Sequence, residues 1–547
     1  MNQLLKYTLL LFLVTFAACS SEDDAAPTVP NGQPQPGDAL ELTVSTVHFV
    51  TDGAPDTRAT DNDEKTTFKD GDRVGIIILD ENSHPIYDNI PYVYKSGKWT
   101  FDSGNDEGKG GCYYDSKAVT YIVYYPYSRA ADKVTSLDDL KTKLAPKFNQ
   151  SDIEDYRSSD LMVCSPSPLT SSKKELDAVL KHAFASVSLT PTAYTLEDGN
   201  STKGNAKVSD VSLTIGDNVY VPYQTTDGSL RCIVPAGINS SSGIRCFYTF
   251  SGKTYGNTIN IEGAANTHYT SAPEITNDTY TLANAKVGDF YCKDSNKKGY
   301  LIPSDVILTD EQKNACIGIV YCTDLDRIGK AAKDELKKNG VTSPHGLVMA
   351  LTNASNACRW GKMKTDENGN NGGTDPFQHN TYTIKVMYNN VDGYAETHWI
   401  INTYINSGTT LEKTYSAFYH ASRYGTEDGG TSQYAAPSNT TGWFIPSMGQ
   451  WWDILSNLGK IDLSNYQMNE IDYELSISDA ATTAFNNMNT YLEKISDEIK
   501  FSDDTSFWSS SECTDRYACC VVLYRALELS YGYKDSSGFS VRCVFAF

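Results

Sequence analysis

Three places in this sequence carry residues whose types and setting could do chemistry. Cys19 ends an apolar run and carries a thiol; Arg58 lies in the polar, exposed stretch "TDGAPDTRATDNDEKTTF". The stretch from Cys513 to Tyr531 is dense in Tyr, Arg and acid, which suits recognition better than bond-making. Patterns for a hydrolytic nucleophile, a metal or a nucleotide are missing: there is no G-x-S-x-G, H-E-x-x-H, phosphate loop or paired C-x-x-C. Asp503, Asp504 and Glu512 cluster near Trp508, but spacing does not separate a glycosidase pair from chance in an acid-rich chain. Asp366, Asn368 and Asn370 imitate a calcium loop, yet Asn371 stands where that loop needs Gly and Phe377 where it needs Glu. The reading is therefore no enzyme, no cofactor and no metal.

Composition narrows the setting. The net charge of -22 disfavours a basic nucleic-acid face, so no nucleic-acid partner is expected. The 36 tyrosines, with abundant Thr and Ser, favour strands and wet binding surfaces. Tyr7 to Ala18 is apolar but shorter than the ~20 residues a spanning helix needs, and it has the length of a signal-peptide core. Of 13 cysteines, setting aside Cys19 leaves an even number. That permits disulfides in an oxidising compartment without revealing their pairing, and some thiols can equally stay buried and reduced. Cys519 and Cys520 face opposite sides of a strand and are not expected to share a partner.

The elements that must position these residues change character along the chain. Residues 19–39 form an acidic, Pro-rich linker. Leu40 to Val50 alternates as a strand, and strands divided by Gly/Asp/Asn turns then run to about residue 280, with one helix at Leu137 to Leu144. Val211 to Ile215 is a half-buried strand. From Val287 helical stretches enter at 326–340, with Gly340 as C-cap, and at 479–496; the remainder reads as short strands between long loops. Pro446 can start a helix carrying Trp451, Trp452 and Leu455 on one buried stripe, and Trp508 plugs the same core; sugar stacking is the lesser reading for these tryptophans. His345 reads as structural.

Phe16-Ala17-Ala18-Cys19 resembles the lipobox of bacterial lipoproteins, followed by an acidic surface-sorting tag at Ser20 to Asp24. That implies a signal peptide over 1–18, an acylated Cys19 and an outer-membrane lipid partner; an ordinary secretory signal is the alternative. "FKDGDRVGI" (Phe68 to Ile76), "YYPY" (Tyr124 to Tyr127), "YRSSDLMVCSP" and "LKHAFASVSL" (Leu180 to Leu189), in that order, resemble the fimbrillin family of lipoprotein-derived pilins. The resemblance implies two transthyretin-like β-sandwiches, 40–177 and 178–282. It also implies cleavage at Arg58-Ala59, loss of the first strand and its replacement by a strand from another fimbrillin subunit, a form of β-augmentation. An uncut strand with an ordinary surface arginine is the alternative.

"VGDFYCKD", "IGIVY", "HGLVMAL", "GWFIPSMGQWWDIL", "FWSSSE" and "VRCVFAF" resemble bacterial C-type lectin-like domains, including those of diversity-generating retroelements. This implies an α+β domain over 283–547. In such proteins the stretch before the last strand binds ligand, which makes Cys513, Asp515, Arg516, Tyr517, Tyr524, Arg525, Glu528 and Tyr531 the candidate contacts; a plain terminal hairpin is the alternative. Calcium-dependent sugar triplets such as Trp-Asn-Asp are missing. The fold class expected is mainly β, two sandwiches followed by the lectin-like domain. The function expected is a pilus-tip adhesin at the cell surface, binding a host or dietary glycan or protein. Its closing strand "VRCVFAF" would be pinned inside a domain and so could not be donated. A permanently lipid-anchored receptor and a surface hydrolase are the rival readings.

Overall fold

The computed structural model describes residues 39–51, 68–105, 109–238, 243–260, 263–367, 382–406, 410–502 and 505–547. Cys19, Arg58, Ala59, Asn368 and Asn370 lie outside them. The chain is mainly β and divides into two compact units.

The first unit draws its described residues from Met1–Val47, Thr66–Lys143 and Met162–Leu180. It is one seven-stranded sheet, in the order Glu41–Thr46, Glu175–His182, Met162–Cys164, Thr120–Tyr125, Arg73–Leu79, Pro85–Lys95, Lys98–Phe101. Arg73–Leu79 is apolar on both faces and buried from Val74 onward, as a central strand must be. Val74, Ile76, Ile78, Tyr121, Val123, Leu176 and Leu180 build the core, and both edges of the sheet add to it, Leu40 and Leu42 from one and Trp99 from the other. The expected helix is present as Leu137–Lys143, with acids in its first turn and lysines in its last, as the helix dipole favours.

The second unit takes His48–Lys65, Leu144–Leu161 and Lys181–Phe547. A five-stranded sheet (Tyr223–Gln224, Leu230–Val234, Ala185–Leu189, Thr267–Ser271, Val50–Thr51) and a four-stranded one (Asn218–Tyr220, Ser209–Ile215, Ile244–Phe250, Lys253–Ile259) share one core of Val187, Leu213, Leu230, Cys232, Ile244 and Tyr248. The half-buried strand expected at Val211 to Ile215 is present, but its burial does not alternate: Leu213 is buried and Val211, Ser212, Thr214 and Ile215 are all half-buried. A nine-stranded sheet runs Gly299–Ile302, Phe290–Lys293, Cys316–Cys322, Leu347–Cys358, Phe539–Ala546, Thr505–Glu512, Tyr517–Leu523, Ala526–Tyr533, Leu475–Ser478.

The structure draws several divisions differently from the sequence. The expected boundary at 177/178 falls inside the strand Glu175–His182. Residues 144–161 belong to the second unit because buried Gln150 stands in for a strand: its Oε1 accepts from the Ile233 N–H at 2.9 Å and its Nε2 donates to the Ile233 carbonyl at 2.8 Å. The boundary at 282/283 is bridged by a sheet, since Val306–Ile307 pairs with Lys203–Ala206. The leading strand is Glu41–Thr46, and pairing resumes only at Val50–Thr51 with a new partner. Four helices occupy the region expected to hold short strands and loops: Ile384–Asn389, Gly393–Tyr404, Thr410–Thr414 and Ser416–Arg423.

Candidate functional site

The closing strand Phe539–Ala546 lies inside the nine-stranded sheet. Val544 pairs antiparallel with Met349 on one edge, and Ser540 pairs parallel with Phe507 on the other. Behind it, the helix Met448–Asn457 begins at Ser447, whose hydroxyl and Gln450 form a capping box; Pro446 therefore sits one place before the cap rather than inside the helix. Trp451, Trp452, Trp508 and Trp360 are fully buried, so the core reading of these tryptophans holds. Their indole N–H groups are used internally: Trp508 donates to the Cys358 carbonyl at 3.0 Å and Trp360 to the Ser509 carbonyl at 2.9 Å. Gly532 makes room for Trp508, because a Cβ there would meet the indole at 2.9 Å. His345 is half-buried; its backbone N–H donates to the Phe547 carbonyl, and burial lowers its pKa.

The terminal hairpin, Tyr517–Leu523 with Ala526–Tyr533, separates the candidate contacts into two groups. At its open end Asp515 and Arg516 occupy the turn into the strand, and Tyr517 packs against Tyr531 and Tyr533 with ring centroids 5.2 and 4.8 Å apart. Tyr531 and Tyr533 are 43% and 53% exposed, a large share for tyrosines on a sheet. A hydrogen bond shared with Tyr533 raises the Tyr517 hydroxyl pKa. Tyr524 and Arg525 form the turn at the other end, about 20 Å away at ~3.3 Å per residue. Glu528 is half-buried between Val522 and Ser476 in the register. Cys513 is corrected as a contact: it is buried and disulfide-bonded to Cys519, which ties the turn to the strand. Tyr533 was missed; as an aromatic two residues beyond Tyr531 on the same face, it carried a period-two signal.

The base of the hairpin is held by buried charge. Lys534 pairs with Glu512, and Lys534 Nζ also donates to the Thr365 carbonyl at 2.7 Å. Both Glu512 oxygens accept from the Glu367 N–H, at 3.0 and 2.9 Å, and Glu367 in turn accepts from the Tyr404 and Tyr415 hydroxyls. Burial pushes Lys534 down to about 7. Glu512 is thus engaged in structure. Nearby, Glu396 is buried and accepts from Ser510 Oγ at 2.6 Å and Asn390 Nδ2 at 2.7 Å; burial pushes its carboxyl up to about 7. Ten further cysteines beyond the Cys513–Cys519 pair are described, nine of them buried. Cys292 and Cys316 face each other across two strands with sulfurs 2.9 Å apart. Among the described residues no group of three or more His, Cys, Asp or Glu is placed to hold a metal, and no helix is long and apolar enough to cross a membrane.

In the first unit the leading strand Glu41–Thr46 pairs parallel with Glu175–Leu180 and lies at the sheet edge. Beyond it lies a groove of about 920 Å³, lined by Leu40, Leu42 and Val44 on one side and by Tyr92, Trp99 and Phe101 on the other. In the second unit Val50–Thr51 is likewise an edge, paired parallel with Thr267–His268.

Residues 57–290 match the family model described as fimbrillin-like. A curated protein of Bacteroides ovatus, described as "Putative fimbrium tip subunit Fim1C", is 23% identical over 92% of this chain and 91% of its own length. The crystal structure of a fimbrial protein from Bacteroides ovatus is 18% identical, covering 93% of this chain and 99% of that one, with a TM-score of 0.35. The tip fimbrial protein Mfa3 from Porphyromonas gingivalis, solved with a C-terminal truncation, is 11% identical over 35% of this chain and 77% of its own, with a TM-score of 0.19.

Proposed function

We propose that this protein is an adhesive subunit at the tip of a lipoprotein-derived cell-surface pilus. It would arrive by acylation at Cys19, be cut at Arg58-Ala59, accept a strand from another fimbrillin subunit, and bind an extracellular glycan or protein. One observation carries the reading. The closing strand pairs with Leu347–Cys358 on one edge and, at single positions, with Phe507 and Phe444 on the other, whereas among the described residues Glu41–Thr46 pairs with Glu175–Leu180 alone, its flanking Leu40 N–H donating to the Cys112 carbonyl. A strand fixed inside a sheet is poorly suited to donation, and a strand at an edge can be exchanged for another. The fimbrillin-like match over 57–290 and the tip-subunit description of a relative aligned over 92% of this chain support the same assignment.

The chemistry of exchange follows from the register. Removing residues before 59 would strip the partner from Glu175–Leu180 in the first unit and from Thr267–His268 in the second. Backbone groups on each edge would lose their bonds, and Leu40 and Leu42 would vacate pockets in the first core. An incoming strand with apolar residues at alternate positions would restore both. In this reading the 283–547 region, with its lectin-like motifs, presents the Tyr517, Tyr531 and Tyr533 cluster as a ligand face. Enzymatic activity forms no part of the reading.

A permanently anchored receptor is the second reading, favoured by the leading strand being seated with Leu42 buried. The two separate on purified pili: immunogold label at filament ends, on protein lacking residues before 59, supports the tip subunit. Label confined to the cell envelope on acylated protein supports the receptor.

A further inference from the structure

Arg542 stands in the middle of the closing strand and is 2% exposed. Its guanidinium lies 4.1 Å from the centre of the Phe501 ring, and its Nε has no hydrogen-bond partner. Among the described residues no carboxylate pairs with it. A buried cation without a counter-charge is expensive, because leaving water costs it more than a neutral group. Burial also lowers the Arg542 pKa to about 10, and the described groups that act on its charge are the Tyr424 and Tyr434 phenols and the Cys543 thiol.

Arg542 lines a cavity of about 480 Å³, within the size range of small-molecule sites. Hydroxyls and amides line it: Asn353, Asn356, Thr505, Ser506 and Ser540. Glu498 and Lys500 are among its other lining residues, and Lys500 is already engaged by Glu493 and Asp497 at 3.3 and 3.1 Å. Among the described residues Arg542 is therefore the cation lining this cavity that is left to a ligand. The wall has a continuation: Thr505 pairs with Leu523, the residue before the Tyr524-Arg525 turn. An exposed arginine beside an exposed tyrosine thus stands at the same end of the sheet as the cavity.

We propose that this cavity binds the carboxylate of an acidic sugar, with Arg542 as its anchor. A guanidinium presents a planar fork that matches a carboxylate in two parallel bonds, which an ammonium does not. The Asn, Ser and Thr walls suit the hydroxyls of a sugar ring, and the stacked Phe501 holds the fork in place. The Tyr524-Arg525 turn would meet a chain extending from that ring, which gives two of the sequence-derived candidates a site separate from the Tyr517 cluster. The inference deepens the adhesin reading by naming a ligand class, and it rests on that reading only for its biological use.

The test is calorimetry on the full chain with D-glucuronate, N-acetylneuraminate, glucuronamide and inorganic phosphate. Saturable binding of an acidic sugar is expected, with glucuronamide weaker by at least tenfold, since the amide differs only at the carboxylate. Arg542→Lys is expected to weaken the acidic sugar at least tenfold. Ser540→Ala and Asn353→Ala are expected to weaken it by severalfold with Tm unchanged. Should Arg542→Lys fail to fold, the comparison of glucuronate with glucuronamide on the native protein decides alone. Equal binding of the two, no binding of either acidic sugar, or binding of phosphate only would overturn the proposal. None of these outcomes depends on pilus assembly, so a failure here leaves the tip assignment standing, and the reverse holds as well.

Discussion

Leu42 stands in parallel register opposite Leu176, and both side chains are sealed into the core of the first unit. The pair joins the stretch that cleavage would remove to the scaffold that would remain. Leu42→Ala is expected to cost about 2–4 kcal/mol, as for other buried leucines, read from chemical denaturation. Protein cut after Arg58 is expected to melt at lower temperature and to recover when a peptide of residues 40–50 is added. A scrambled peptide of the same composition should not restore it. No change in Tm on cutting would mean that the leading strand is dispensable and the groove is not an acceptor.

Lys534→Met should destabilise the second unit by about 3–5 kcal/mol, because it strands the Glu512 carboxylate in a dry site. Replacing both partners with apolar residues should recover much of that loss. Denaturation of the single and double variants measures this. Additive losses would show that the pair is not coupled.

Glu396 gives a pH dependence opposite to that of a surface carboxylate. Burial raises its folded pKa to about 7, above the ordinary 4.5 of a glutamate, so the folded state holds a proton that the unfolded state releases. Its contribution is present below about pH 4.5 and is lost as pH rises through 7, by on the order of 3 kcal/mol. Glu396→Gln should flatten the stability profile across that window. The difference between the two profiles isolates this residue from Asp453, which burial also raises, to about 6. Identical slopes would place the Glu396 pKa near its ordinary value.

The tyrosine end of the hairpin makes a separable prediction. Tyr531→Ala and Tyr533→Ala should each reduce ligand or cell adhesion by about tenfold, since aromatic anchors carry much of an interface. Both are exposed, so stability should change by less than about 1 kcal/mol. Adhesion unchanged in the double variant would return the hairpin to the plain structural reading.

Much of this was legible because it is written in periodicity. Leu40 and Leu42 alternate with exposed residues, and the Trp451, Trp452 and Leu455 spacing marks a buried helix; both appear as read. The helices between 384 and 423 were not legible. Gly393–Tyr404 buries Glu396 and Thr397 beside Ile400 and Ile401, so polar residues occupy its core face and blur the stripe. The split of the candidate contacts was hidden for another reason: neighbours in sequence on a hairpin can stand at opposite ends of it, as Tyr517 and Tyr524 do. Cys513 looked like a surface contact because a disulfide six residues long cannot be told from two separate thiols by spacing. Arg542 sits in an otherwise apolar strand, "VRCVFAF", and that interruption was the one sequence signal for its cavity.

The central claim is that this subunit gives up its leading strand and receives another. Intact mass with N-terminal sequencing of the protein from purified native pili tests it most directly. An N-terminus at Ala59, with everything through Arg58 gone, is the predicted result. An acylated Cys19 with no trimmed form, in cells that assemble pili, would contradict it and leave an anchored receptor.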